Sequence, residues 1–136
     1  MAFTGNFTCN VFKEGLFTGS FDFSSDTFYL ALYTNAVTLN EDTTAYTSTG
    51  EASGGNYVAG GQVLTPTVAE ENGVAYLTFA NVSWTGVITA RGALIYKAGV
   101  NGAVCVLDFG SDKTSTTSFQ VQFPAATSVS AIIRLS

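Results

Sequence analysis

Residues 27–34, TFYLALYT, decide the fold class, because apolar side chains occupy both alternating positions of an extended chain. Phe28, Leu30 and Leu32 point to one face of such a strand, and the two tyrosines and the alanine between them point to the other. A strand that is apolar on both faces is typical of the interior of a sheet. The segment therefore predicts a core strand.

Six runs downstream are rich in β-branched and aromatic residues and are separated by turn-forming residues. They are QVLTPTV (62–68), VAYLTFANVSW (74–84), VITARGALIYK (87–97), AVCVLDF (103–109), TSFQVQF (117–123) and SAIIRLS (130–136). Asn101-Gly102 is the sharpest hairpin signal between them. With the first strand, the runs predict an all-β fold of about seven or eight strands, a β-sandwich or jelly roll, with a barrel of similar size as the second choice.

The first 26 residues form an arm with a different pattern. Cys9, Phe12 and Leu16 recur at helical spacing, so we expect one short N-terminal helix, capped by Thr8 and ended by Gly19. Six of the eleven phenylalanines of the chain lie here: Phe3, Phe7, Phe12, Phe17, Phe21 and Phe23. We expect a single domain over residues 1–136, with the arm at 1–26 and the β-sandwich at 27–136. The arm either closes the domain's own core, which we favour, or reaches into a neighbouring subunit.

Composition excludes several classes of function. Hydrophobic residues make up 46% of the chain and charged residues only 11%, and the net charge is −5 without a basic cluster. We therefore expect no nucleic-acid partner. No apolar run is long enough for a membrane span, and the first residues lack the pattern of a signal peptide, so we expect a soluble, unprocessed protein. The chain has no histidine, the commonest general base and metal ligand.

No motif of the chain predicts a catalytic, cofactor-binding or metal site. Residues 55–60, GNYVAG, have the glycine spacing of a phosphate loop, but Gly61-Gln62 stand where such a loop needs Lys and Ser or Thr. Residues 108–110, DFG, spell a kinase triplet without any other kinase motif, and we interpret them as a strand end followed by a turn. Adjacent acids in polar loops are typical of a soluble surface, although calcium binding by such loops stays open.

Three further features have both a structural and a functional interpretation. Cys9 and Cys105 are too few for a zinc site, and we expect two buried, reduced side chains, with one disulfide left open. Arg91, in an apolar strand, requires an acidic partner such as Asp108 or Asp112, and the following glycine indicates a bulge or close backbone approach. Arg91 and Arg134 could instead be interface residues that bind a neighbouring subunit. The loop at 35–61 is the expected contact or variation surface.

Several segments, in this order, carry a family resemblance: FYLALYTNAVTL (28–39), TTAYTSTGE (43–51), YVAGGQVL (57–64), ITARGALIYK (88–97), VLDFGSDKTSTT (106–117), VQFP (121–124) and AIIRLS (131–136). The chain resembles small virion proteins encoded among the structural genes of tailed bacteriophages. The likeness covers about residues 27–136, and ITARGALIYK with VLDFGSDKT is its most specific part. The opening VFKEGLFTGSFDF (11–23) resembles the start of the family less specifically.

The resemblance implies a non-enzymatic particle component without a cofactor, made in the cytoplasm of the bacterial host. We expect a capsid decoration or cement protein on the phage head, a homotrimer that binds the major capsid protein across neighbouring subunits. The six phenylalanines of the arm would supply its apolar assembly contacts, and Arg91 and Arg134 would supply ionic ones. The alternatives are a tail or tail-fibre protein whose long loop contacts a receptor, and a carbohydrate-binding β-sandwich that presents Trp84, Tyr46 or Tyr57. A small hydrolase has no support in the sequence.

Overall fold

The computed structural model describes residues 3–135, which form ten strands and one helix. The elements in chain order are β1 (Phe7–Thr8), α1 (Asn10–Thr18), β2 (Phe28–Tyr33), β3 (Gln62–Val63), β4 (Pro66–Glu71), β5 (Val74–Phe79), β6 (Val82–Thr85), β7 (Thr89–Lys97), β8 (Ala103–Thr114), β9 (Ser118–Val121) and β10 (Ile133–Leu135). The mostly β character and the short N-terminal helix are as predicted. Within the described residues, no helix has the length and hydrophobicity that a membrane crossing requires.

The strands form three antiparallel sheets. The largest sheet has the order β1-β8-β7-β2-β3, the second has the order β10-β5-β4, and β6 pairs with β9. Strand β2 lies between β7 and β3, and Leu30 and Leu32 are fully buried. The prediction that residues 27–34 form an interior core strand is therefore confirmed.

The predicted number of strands, seven or eight, is too low, and three local features account for the difference. The run at 62–68 is divided into β3 and β4, which belong to different sheets. The run at 74–84 is likewise divided into β5 and β6, because the chain leaves one sheet at Ala80-Asn81 and enters another. The arm adds β1, which pairs with β8. Continuous hydrophobicity does not reveal where a strand changes sheets.

Helix α1 ends as predicted but begins differently. Gly19 has a φ of 72° and its N–H bonds to a carbonyl of the last turn, so it ends the helix in the left-handed conformation that glycine favours. Cys9 is the N-cap and makes no side-chain capping bond. Thr8, the predicted cap, lies in β1 opposite Cys105. Pairing with β8 therefore determines the conformation of Thr8, which the local sequence pattern had placed at the start of the helix.

Two Asn-Gly pairs lie in hairpin connections. Asn101, with a φ of 58°, lies in the β7–β8 connection, where the Lys97 N–H bonds to the Gly102 carbonyl at 2.8 Å. The predicted hairpin is confirmed, although its connection is five residues long. The tighter turn is at Asn72-Gly73, where both residues have positive φ and join β4 directly to β5. This is the geometry of a two-residue type I′ turn.

The predicted strand end at residues 108–110 is wrong, because β8 continues to Thr114. Its last residues pair again with β7, since Ala90 faces Lys113 while Gly92 faces Asp108. The unequal numbers of residues between these pairs form an irregular bulge, and Gly110, with a φ of 86°, lies in it. A bulge lets a strand bend without ending, which turn-type residues alone cannot distinguish from a true turn.

The core lies on both faces of the five-stranded sheet. On one face, Phe23 of the arm stacks on Phe28 with ring centroids 4.2 Å apart and also contacts Phe79 of β5. The arm therefore joins the large sheet to the three-stranded sheet. On the other face, Tyr46 of the loop at 35–61 stacks on Tyr96 of β7, with ring centroids 4.9 Å apart. The long loop thus covers the second face of the sheet.

Candidate functional site

The six arm phenylalanines, predicted as assembly residues, divide by exposure. Phe3, Phe12 and Phe21 are buried in the core of their own chain, and Phe7 and Phe23 are half-buried against it. Phe17 is 95% exposed. The structure therefore places one of the six where it is fully available to another molecule.

Phe17 follows Leu16 in α1, and Leu16 lines an apolar groove between this helix and the three-stranded sheet. Leu16, Val68 and Leu135 line this groove and are 37%, 61% and 56% exposed, respectively. The groove has a volume of about 140 Å³. We call these three exposed groove residues, together with the exposed Phe17 of the same helix, the α1 face. Large apolar side chains that gather on one surface mark an interaction site more often than isolated ones do.

Arg91 is an internal residue. Its guanidinium lies 3.1 Å from the Asp108 carboxylate, and its side chain is 4% exposed. Nη2 also donates to the Phe3 carbonyl at 3.5 Å, whereas Nε has no partner. Of the two partners that the sequence offered, Asp108 and Asp112, the ion pair is formed with Asp108. Arg91 therefore holds the arm to β7 and β8 within its own chain. This agrees with the structural interpretation of Arg91 rather than with the interface interpretation.

Gly92 allows this arrangement. A Cβ at this position would lie 2.4 Å from the Phe3 ring and 2.5 Å from the Leu107 carbonyl oxygen. The predicted close backbone approach is therefore confirmed, and Phe3 is the side chain that fills the space.

Arg134 lies elsewhere, in β10, where it is exposed and donates to the Val129 carbonyl. It remains available as a surface cation.

The loop at 35–61 is held to the large sheet through Glu51. The Glu51 carboxylate accepts hydrogen bonds from Tyr46 Oη and Tyr57 Oη, both at 2.6 Å, and from the Gly60 N–H at 2.7 Å. Tyr57 Oη in turn accepts from the Leu32 N–H of β2 at 2.9 Å. Leu39 and Ala52 of the loop are buried. Three parts of the loop therefore meet at one half-buried carboxylate.

Three tyrosines in and beside this network have a raised pKa, chiefly because they are buried. Burial, together with the adjacent Glu51 carboxylate, raises the pKa of Tyr46 to about 12. Burial is also the main cause of the raised pKa of Tyr57 and Tyr96. These phenols stay protonated throughout the neutral range and act as hydrogen-bond donors. Sequence reasoning missed Glu51; its one signal is that it is the sole acid between Asp42 and Glu70 and stands between two tyrosines.

A tyrosine cleft opens beside this network. It is lined by Tyr29, Tyr46 and Tyr96 with Ala45, Ala98, Gly99 and Val100, and its volume is about 510 Å³. Trp84, which the sequence offered as an exposed aromatic, is 2% exposed and lies in the core. Tyr57 is turned inward toward Trp84, 5.5 Å away, and toward Glu51. The aromatic surface is therefore different from the predicted one and shares only Tyr46 with it.

The two cysteines are free and buried, and no disulfide joins them. Burial raises the pKa of Cys9 to about 11 and that of Cys105 still further. They are therefore inert thiols at neutral pH, in agreement with the structural interpretation. In the part of the chain that the structure describes, no three Cys, Asp or Glu side chains come together as metal ligands.

Comparison of the chain with protein-family models, with curated proteins and with solved structures finds no match.

Proposed function

We propose that this protein is a non-enzymatic structural protein of a tailed-phage virion, in which it decorates the capsid. The observation that carries the proposal is the α1 face, because its apolar side chains need a protein neighbour to remove them from water. The resemblance of residues 27–136 to phage virion proteins supports the same function. A domain of low charge with an apolar contact surface is suited to permanent assembly.

The occupant that we propose for the α1 face is the major capsid protein. A ligand that binds the assembled shell and not its free subunits stabilises the shell by mass action. Arg134 alternates with Leu135 along β10 and lines a different cleft, so it would add a polar contact to the capsid outside the α1 face. The protein would bind as a homotrimer, so that one copy of the α1 face reaches each neighbouring capsid subunit.

For the fold we propose a β-sandwich or jelly roll, in which the three-stranded sheet is the partner layer of the five-stranded sheet. The contacts of Phe23 with Phe28 of β2 and with Phe79 of β5 support this, because they bridge the two sheets. The short β6–β9 pair would close one end of the sandwich. An experimental structure that shows the two sheets face to face would agree with this proposal, and a closed barrel would contradict it.

The test uses virions that carry the protein with Phe17→Asp. Phe17 is 95% exposed, so a charge there leaves the fold intact while it opposes burial against a neighbour. We expect at least a tenfold loss of the protein from purified virions, measured by quantitative mass spectrometry. The matched control is Val129→Asp, since Val129 is also exposed, at 75%, and lies outside the α1 face.

Immunogold labelling of the same virions tests the location. Label on the head agrees with a decoration protein, whereas label on the tail alone would replace the proposed partner by a tail protein. Full incorporation of the Phe17→Asp protein, or its absence from virions that contain the wild-type gene, would contradict the proposed function.

A further inference from the structure

The tyrosine cleft contains a ready-made aromatic stack. The ring centroids of Tyr29 and Tyr96 are 5.6 Å apart, and those of Tyr96 and Tyr46 are 4.9 Å apart. The angle between the two ring planes is only 26° in the first pair and 23° in the second. Tyr29 and Tyr46 are half-buried, so parts of the outer rings face the cleft. From this cleft we propose that the protein binds a neutral saccharide.

The uncharged, aromatic lining of the cleft disfavours anionic ligands. The lining consists of tyrosine, alanine, glycine and valine, so no charged side chain contributes to it. An anion would lose its hydration there without gaining an ionic partner, and the negative faces of the tyrosine rings would repel it. The chain as a whole carries a net charge of −5, which further disfavours anions. Among saccharides, the lining therefore favours an uncharged one over an acidic one.

The hydroxyl groups of the stack favour a ligand that donates hydrogen bonds. Tyr96 Oη donates to the Gly60 carbonyl at 2.6 Å, and Tyr46 Oη donates to Glu51 at 2.6 Å. Both donors are therefore used, while the phenol oxygens keep lone pairs that accept. A sugar ring offers hydroxyl donors at its edge and C–H bonds on its face, and aromatic rings attract such C–H groups through their negative faces. The phenol oxygens thus match the hydroxyl groups of a saccharide, and the ring faces of the tyrosines match its C–H bonds.

The cleft is both preorganised and open. The Glu51 network holds Tyr46, and Gly60 holds Tyr96, so binding does not have to order these side chains. The opposite rim is the β7–β8 connection, where Val100 is 89% exposed. The volume of about 510 Å³ lies within the range of small-ligand sites. The inference does not depend on the proposed place of the protein in a virion.

The test is calorimetric titration of the full chain with four neutral oligosaccharides: cellohexaose, maltohexaose, mannohexaose and N-acetylchitohexaose. We expect at least one of them to bind, and Tyr29→Ala to weaken that binding by about tenfold through the loss of one stacking ring. Tyr76→Ala is the matched control, because Tyr76 is also a half-buried strand tyrosine but lies outside the cleft. Circular dichroism checks that both variants fold.

A second variant keeps the test decisive if Tyr29→Ala fails to fold. Ala98 is exposed at the rim, so Ala98→Leu narrows the cleft without touching the core, and we expect the same loss of binding. The inference is overturned if none of the four oligosaccharides binds at millimolar concentration, or if Ala98→Leu leaves the affinity unchanged. Tighter binding of a proline-rich decapeptide or of an acidic oligosaccharide would also overturn it. Virion incorporation of the Phe17→Asp protein is a separate measurement, so the two proposals fail independently.

Discussion

Substitution of Glu51 by alanine tests whether one carboxylate holds the loop at 35–61 on the large sheet. The change removes the acceptor of three hydrogen bonds, from Tyr46, Tyr57 and the Gly60 N–H. Hydrogen bonds to charged groups contribute about 1.5–3 kcal/mol each, so their sum is at most about 4.5–9 kcal/mol. Bonds that share one acceptor are not additive, and the half-buried phenols regain water, so we expect a loss of about 3–5 kcal/mol.

Urea unfolding followed by circular dichroism measures this loss, and hydrogen exchange shows where it occurs. We expect faster exchange in the loop at 35–61, because Glu51 orients the Tyr57 phenol that accepts from the Leu32 N–H, and Glu51→Ala removes this orientation. Glu51→Gln keeps an acceptor oxygen and should cost about 1–2 kcal/mol. Glu14→Ala, at an exposed acid of α1, should stay within about 0.5 kcal/mol of the wild type. A loss below about 1 kcal/mol for Glu51→Ala, or unchanged exchange of the loop, would refute the reasoning.

Three further outcomes follow from buried or hydrogen-bonded groups. Asp108→Ala should lower the free energy of unfolding in urea by about 3–5 kcal/mol, because it leaves Arg91 buried without its partner. The double variant Arg91→Met/Asp108→Leu should lower it clearly less. Equal losses for the two proteins would contradict this. Hydrogen bonds from Ser24 lower the pKa of Asp22 to about 2, so this carboxylate stabilises the fold above about pH 4 and the effect is lost as the pH falls toward 2. Asp22→Asn should flatten the acid limb of the stability curve, and an unchanged limb would count against it. Burial raises the pKa of Cys9 to about 11 and raises that of Cys105 further. Ellman's reagent at pH 8 should therefore detect no thiol in the folded protein and two thiols in urea.

Local signals in the sequence were sufficient where local physics determines the structure. The period-two pattern at 27–34 predicted the interior strand β2, Gly19 predicted the end of α1, and Asn101-Gly102 predicted the β7–β8 hairpin. Each of these depends on residues close in the chain. The division of the runs at 62–68 and 74–84 between sheets depends on distant partners, so no local pattern marks it.

The contrast between Arg91 and Glu51 shows where sequence reasoning about buried charges stops. Arg91 interrupts an apolar strand, so a partner on the next strand was required, and Asp108 fills that role. Glu51 lies in a polar loop, where an acid is ordinarily solvated and needs no partner. What makes Glu51 half-buried is the return of the loop across the face of β2 and β7, which brings the hydroxyl groups of Tyr46 and Tyr57 to its two carboxylate oxygens. The tyrosine cleft exists only because of that return, so the candidate binding surface is a product of tertiary structure and cannot be assigned from any one segment.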